Sequence, residues 1–275
     1  MKSLTSDLGR TQEQILIRPC LQSHDLLSLL TGDCLALRIP QLLAPPLAQV
    51  WGTKLSGSQS LTRYGHAQDV GVNRIGMTLF ETESEITKIT AYLKAASRIM
   101  PHLECTLGEG QNPLHILQAS LKEAWKEGAE PEKLFGLPMV PGIVRSFDQQ
   151  ADGGLPPHTD LLAKDFQLGD CFRDMKAQLA ANLFIQVPAQ GGELEIWNLE
   201  PAPEELQEWY TGTYDFIDRG KLPAPTAVLQ PAIGELILFR SSCIHAVRPI
   251  SAGGRATASC FIGYYGPAAP LSYWA

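Results

Sequence analysis

The tripeptide His158-Thr159-Asp160 sets an imidazole and a carboxylate two residues apart. On a strand, where side chains alternate, that spacing sends both to one side. A second imidazole, His245, lies 85 residues after Asp160, inside an apolar run that reads as a strand. Two imidazoles and a carboxylate gathered on one side of a metal form the facial triad that holds iron(II) and leaves positions open for reactants. His-x-Asp alone arises often by chance, and Asp and Thr equally suit a turn in which they hydrogen-bond locally. His24, His66, His102 and His115 show no ligand spacing.

The residues beyond the second histidine add weight. Arg255 comes ten residues after His245, with Thr257 and Ser259 at alternating positions beyond it. An antiparallel hairpin through Ser251-Ala252-Gly253-Gly254 is expected to return Arg255 alongside the His245 strand. A guanidinium there could clamp one end of a dicarboxylic acid in a bidentate fork while the other end chelates the metal. The neighbouring hydroxyls could share that carboxylate. A surface arginine after a turn and a core histidine are the plain alternatives for each residue taken singly.

These residues need elements to hold them. From residue 138 onward the segments are short and are separated by Gly, Pro and Asp. Strands are predicted at 140–147, 181–187, 193–198, 227–230, 235–239, 244–250 and 257–264, with a short helix at 203–210. Many short strands so punctuated predict a sandwich or barrel of the jelly-roll kind. Gly191, Gly192 and Gly234 read as turn formers. Upstream the rhythm is helical. Thr82 and Glu85 form a capping-box pattern before Ile86, Ile89 and Leu93. Asn112-Pro113 reads as N-cap and first residue of a second helix, with Leu114, Leu117, Leu121 and Trp125 on one face and Gly128 ending it. The expected architecture is one domain over 1–275, mainly β with flanking helices. Residues 1–137 would be a mostly helical support, 138–266 the jelly-roll catalytic core and 267–275 a C-terminal tail.

Composition narrows the partners. Lys plus Arg is 22 against 29 Asp plus Glu, a net charge of −7, which argues against sequence-independent nucleic-acid binding. No window holds the 18 or so uninterrupted apolar residues of a membrane helix. The opening residues lack an apolar signal core, and the six cysteines show no CxxC spacing. A cytoplasmic protein with reduced thiols is expected, with neither nucleic acid nor membrane as partner.

Taken together, HTD at 158–160, GGELEIWN at 191–198, GELILFRSSCIHAVRPI at 234–250 and GGRATAS at 253–259 resemble the iron(II)/2-oxoglutarate-dependent dioxygenases. The likeness is strongest to their prolyl-hydroxylase-like branch and covers about residues 138–266. It implies a double-stranded β-helix, with His158, Asp160 and His245 binding iron and Arg255 binding the far carboxylate of 2-oxoglutarate. Thr257 and Ser259 would assist, and Asn182 on the next strand would reach the other end of the cosubstrate unless it faces solvent. Oxygen is the second cosubstrate and ascorbate a helpful additive. The implied reaction couples decarboxylation of 2-oxoglutarate to succinate with hydroxylation of an aliphatic C–H of a small molecule, an amino acid or its derivative. Asp160 sets the chain apart from the related halogenases, which carry Gly or Ala there.

Arg145, Phe147 and Trp197 are expected at the substrate, with Arg145 pairing either a substrate carboxylate or an internal acid. Arg173, Arg240 and Tyr265 are expected nearby, and 161–175 is expected as a lid over the site. The same opening chemistry also suits desaturation, epimerisation or ring formation. A catalytically silent jelly roll that binds metal, and a peptidyl hydroxylase, are the rivals from other classes.

Overall fold

The computed structural model describes residues 14–275 apart from 57, 65–70, 108–111, 148–153, 163–170 and 213–214. Its first part runs β1 (Ile15–Ile17), α1 (Ser23–Thr31), β2 (Ala36–Ile39), α2 (Pro45–Ser56), β3 (Thr62–Arg63), β4 (Val72–Ile75), α3 (Ile86–Leu107) and α4 (Pro113–Ala124). Next come β5 (Ala129–Pro131), β6 (Lys133–Leu134), β7 (Leu137–Pro138), β8 (Ile143–Phe147), β9 (Leu155–His158), β10 (Ala177–Gln186), β11 (Gln190–Gly191) and β12 (Leu194–Ile196). The chain ends with α5 (Pro203–Trp209), β13 (Ala227–Leu229), β14 (Leu236–Arg240), β15 (His245–Val247), β16 (Ile250–Ala252), β17 (Arg255–Tyr264) and β18 (Leu271–Trp274).

A major sheet is ordered β1-β2-β14-β10-β17-β8-β4-β3, and a minor sheet β13-β12-β15-β9. This is the expected mainly β jelly roll with flanking helices. The major sheet is covered on both faces, so its central strands are buried on both, and their alternation reveals which way each residue points. On β10, Leu179, Ala181, Leu183 and Ile185 join the large helix-side core, as do Ala256, Ala258, Cys260 and Ile262 on β17. Leu26, Leu29, Trp51, Tyr92, Leu103, Leu117 and Leu121 from the helices fill the other side of that core. Each such leucine contributes about 2 kcal/mol by leaving water. The intervening residues Ala180 and Phe184, with Ile237 and Phe239 of β14, pack instead against Leu194, Ile196 and Leu229 of the minor sheet. The gap between the sheets is where the site lies.

The first 137 residues are more than a helical buttress. β2 pairs antiparallel with β14, and β4 with β8, so this region extends both edges of the major sheet. Open edges are a liability, and covering them removes unpaired backbone groups. Arg38 on β2 forks onto the buried carboxylate of Glu235, with Nε–Oε1 at 2.6 Å and Nη2–Oε2 at 2.8 Å. The stretch expected as a tail likewise enters the sheet: β18 pairs with the second half of β17 while β8 pairs with the first.

Helix starts depend on caps, and one differs from expectation. Asn112 caps α4 as predicted, its Oδ1 accepting from Leu114 N at 2.9 Å, but the helix stops at Ala124, before Gly128. Thr82 does not cap α3. It closes a 3-10 turn, Leu79–Thr82, whose own capping box is Thr78 and Glu81. Both Thr78-x-x-Glu81 and Thr82-x-x-Glu85 fit the motif; Arg74 decides between them, because its guanidinium forks onto Glu81.

Gly191 and Gly234 adopt positive φ, +81° and +79°, and a Cβ on either would come within 2.0 Å of a carbonyl oxygen, that of Pro249 or of Leu43. Gly191→Ala is therefore expected to cost about 3 kcal/mol in urea unfolding, because both its backbone conformation and its contact with β16 are denied to alanine. An unchanged midpoint would mean that β11 and β16 separate freely.

Candidate active site

His158 ends β9 and His245 begins β15, and the two residues are direct partners in that antiparallel pair. Their ring centroids lie 4.2 Å apart. Each Nδ1 sits against a backbone carbonyl two residues back, His158 on Pro156 O at 2.7 Å and His245 on Cys243 O at 2.9 Å. A carbonyl only accepts, so Nδ1 carries the proton and Nε2 keeps its lone pair for a metal. Those two Nε2 atoms converge on Asp160 Oδ2, at 3.8 and 3.3 Å.

Backbone bonds aim the carboxylate. Asp160 N donates to Ser241 O at 2.9 Å, which ties the residue just past the end of β9 to the end of β14 in the other sheet. Gln178 of β10 donates to Asp160 O at 3.1 Å and accepts from Leu162 N at 2.9 Å. The ligand atoms of His158, Asp160 and His245 all lie within 4.8 Å of one another and could hold a metal ion. Two neutral imidazoles and one carboxylate are the donor set that suits iron(II) with open positions. Burial and the neighbouring His245 push the His158 pKa down to about 4, so its ring is neutral at physiological pH. Burial by itself would raise Asp160, but the two histidines and Arg145 outweigh it and hold the carboxyl well below its usual range.

Arg255 is reached differently from the hairpin expected. β15 belongs to the minor sheet. The chain leaves it at Pro249, pairs β16 with β11, and enters the major sheet as β17 between β10 and β8. Proline has no N–H to continue the β15 ladder, and Gly253, at φ +90°, lets the chain turn the corner. Arg255 thus stands across the gap from His245 rather than beside it. An inner cavity of about 50 Å³ is lined by the triad on one wall and by Arg255, Thr257 and Ser259 on the other.

The guanidinium of Arg255 is buried, 4% exposed, and its Nε has no hydrogen-bond partner among the described residues. Its carbon lies 4.4 Å from the Phe147 ring centroid and 5.2 Å from that of Phe184, so two rings hold it by cation–π contact. Burial, then the like charge of Arg145, push its pKa down to about 9, still cationic at neutral pH but unsatisfied. Ser259 Oγ lies 2.8 Å from Asn182 Oδ1 and 3.0 Å from Thr257 Oγ1, which gathers three polar side chains at the cavity floor.

An outer cavity of about 170 Å³ shares Arg145, Phe147, His158 and Asp160 with the inner one. Tyr64, Leu79, Phe80, Phe216 and Trp274 also line it, none of them suggested by the sequence. Tyr64 and Leu79 come from the segment before 138 and reach the site only because β4 pairs with β8. Trp197 does not reach either cavity. It is 1% exposed in a separate core with Leu206 and Ile217, and its Nε1 donates to Pro223 O at 2.8 Å. Arg240 pairs with Glu200 at 2.6 Å and Tyr265 donates to Glu132 at 2.7 Å; with Arg173, both lie off the cavity walls. Phe147 borders both cavities but is buried beneath Arg255. Of the expected lid, 163–170 lie outside the described residues.

His245→Ala is expected to weaken Co(II) or anaerobic Fe(II) binding about 100-fold or more in calorimetry, since metal sites of this size lose affinity steeply with each ligand. Wild-type affinity in that variant would exclude the triad as the metal site. His158 ordinarily titrates near 6.5 but stays neutral in the folded chain down to about 4. Between those values the unfolded chain binds a proton that the folded chain does not, so stability falls with pH there. Metal-free protein should lose thermal stability from about pH 6.5 to about pH 4, less steeply in His158→Gln; equal slopes would mean that His158 is not the group responsible.

Comparison with known proteins agrees with this geometry. Residues 144–263 match the model of the 2OG-Fe(II) oxygenase superfamily. L-gamma-glutamyl-L-propargylglycine hydroxylase of Streptantibioticus cattleyicolor is 28% identical over 160 residues, 57% of each chain. L-isoleucine 3(1)-dioxygenase of Pantoea ananatis is 32% identical over 126 residues, 43% of this chain and 42% of the relative. The chain thus spans about half the length of the curated relatives it matches. In fold it is similar to an N-substituted L-amino acid dioxygenase from Burkholderia ambifaria AMMD, crystallised with alpha-KG. The TM-score is 0.61 at 17% identity, over 92% of this chain and 90% of that one. The family model matched over residues 144–263, the jelly roll and a donor set that fits iron(II) together support the 2OG-Fe(II) oxygenase superfamily.

Proposed function

We propose that the protein is a 2-oxoglutarate-dependent hydroxylase acting on an aliphatic C–H of a small molecule, an amino acid or amino acid derivative. The observation that carries this reading is the meeting, in one inner cavity, of a His-Asp-His triad and a buried arginine whose Nε lacks a partner. A scaffold protein has no use for that unsatisfied cation, which costs stability until an anion joins it.

Each residue then has a part. His158, Asp160 and His245 hold iron(II), their rings fixed by Pro156 O and Cys243 O. Arg255 takes the far carboxylate of 2-oxoglutarate in a fork, with Thr257 and Ser259 beside it and Asn182 ordering the hydroxyls. Bound iron(II) supplies the oxidising chemistry that turns O₂ and the keto acid into succinate, carbon dioxide and a hydroxylated product. Phe147 and Phe184 keep water from the guanidinium and fix its plane.

The relatives named for L-gamma-glutamyl-L-propargylglycine and L-isoleucine support an amino acid or derivative, and a cavity of about 170 Å³ suits a small molecule. The six cysteines are all free thiols, which suits a reducing, cytoplasmic setting. No helix among the described residues is long and apolar enough to cross a membrane.

Succinate formed from 2-oxoglutarate with Fe(II) and ascorbate under air tests the proposal. Wild type should form it, His158→Ala should not, and Arg255→Gln should need about 30-fold more 2-oxoglutarate, the loss expected for a charged hydrogen-bonded contact. Metal binding without succinate, and without 2-oxoglutarate binding under nitrogen, would instead identify a silent metal-binding jelly roll.

A further inference from the structure

Two arginines face the interior between the sheets, and one dicarboxylic cosubstrate accounts for only one of them. Arg145 sits on β8 directly across from Thr257 of β17, in the row of residues that faces the minor sheet. It borders both cavities, whereas Arg255 borders only the inner one. Its Nε donates to Tyr64 OH at 3.1 Å, and among the described residues no carboxylate forms an ion pair with it. Glu81 is already taken: it binds Arg74, the cross-strand neighbour of Arg145, and accepts from Thr78 N at 2.9 Å. Asp160 is aimed at the two histidines.

We propose that Arg145, steadied by Tyr64, binds a carboxylate of the substrate, and that the substrate is a monocarboxylate with an aliphatic chain, as in a free or N-substituted aliphatic amino acid. This rests on the hydroxylase reading and adds the substrate group that the site selects. Two like charges turned toward one partly buried space each need an anion. The inner position of Arg255, beside two hydroxyls, suits the far end of 2-oxoglutarate. Arg145, at the border with the outer cavity, is left for a second anion entering from that side. Tyr64 holds the guanidinium through Nε, so its terminal edge presents a fork that matches a carboxylate. The rest of the outer wall is apolar: Val72, Leu79, Leu155, Phe216 and Trp274 would take the chain. A carboxylate fixed at Arg145 and a chain laid along that wall hold the substrate beside Asp160 and His158, which line the same cavity.

The rival role for Arg145 is the keto-acid end of 2-oxoglutarate, and the test separates the two. Mn(II)-loaded protein would be titrated calorimetrically with 2-oxoglutarate. The resulting complex would then be titrated with L-isoleucine, L-leucine and L-norvaline, their N-acetyl forms, and the methyl ester of each. At least one acid should bind, with its ester weaker by about tenfold or more, because the ester lacks the charge that makes the fork strong. Arg145→Gln should weaken that acid about 30-fold and leave 2-oxoglutarate within about threefold of wild type, which also shows that the variant is folded. Arg145→Lys should fall between, keeping the charge without the fork.

Equal binding of acid and ester would overturn the proposal. So would a loss of 2-oxoglutarate affinity in Arg145→Gln as large as in Arg255→Gln. Silence from every acid in protein that binds 2-oxoglutarate would overturn it too, with the hydroxylase reading intact; failure to bind 2-oxoglutarate at all would remove both.

Discussion

His158 and His245 meet because β9 and β15 are neighbours in register, and the rest of the site is arranged around that pairing. Two short strands, whose histidines are 87 residues apart in the chain, present one imidazole each at the same level of one sheet face. Backbone carbonyls at Pro156 and Cys243 then fix both rings through Nδ1, so each Nε2 faces the same point without any further side chain being spent on it. Asp160 completes the set from just beyond the strand, where its own N–H is tied to Ser241. A one-residue slip between β9 and β15 would turn one histidine to the opposite face and leave no shared point.

The opposite wall is governed by electrostatics in a space with little water. Arg255 gains contact with two phenylalanine rings but has no hydrogen-bonding partner at Nε among the described residues, and Arg145 adds a like charge. Such a wall is costly when empty and favourable when anions fill it, which is how a binding site stores selectivity. The polar floor is by contrast tied together, with Ser259 Oγ against both Asn182 Oδ1 and Thr257 Oγ1. It can exchange those bonds for a ligand at little cost, because hydroxyls rotate.

The supports for both walls lie in the major sheet and its helices. Because the central strands are buried on both faces, the sheet is a partition: helices anchor its apolar side and the site uses the other. The edges contributed by β2 and β4 bring the N-terminal part of the chain into the site, and Tyr64 and Leu79 arrive with it. Gln178 links the partition to the triad by bridging Asp160 and Leu162.

Much of this could be read from the residues themselves. The order His158, Asp160, His245, Arg255, with Gly-rich turns between short strands, points to the fold and to the chemistry proposed, because alternation along a strand and the donor demands of a metal are local rules. Asn112 and Pro113 start their helix where a cap must, since capping involves only neighbours in sequence. The same local rules were ambiguous at Thr78 and Thr82, where a distant Arg74 made the choice. They misplaced Trp197, whose type suits a pocket as well as a core. The sequence by itself determined which groups could bind and react. Only the tertiary structure decided that Arg255 faces the triad from the other sheet, that Tyr64 stands beside Arg145, and that β18 joins the major sheet on β17. Those are pairings between strands far apart in the chain, set by which edges must be covered and which faces must meet, and no local spacing encodes them.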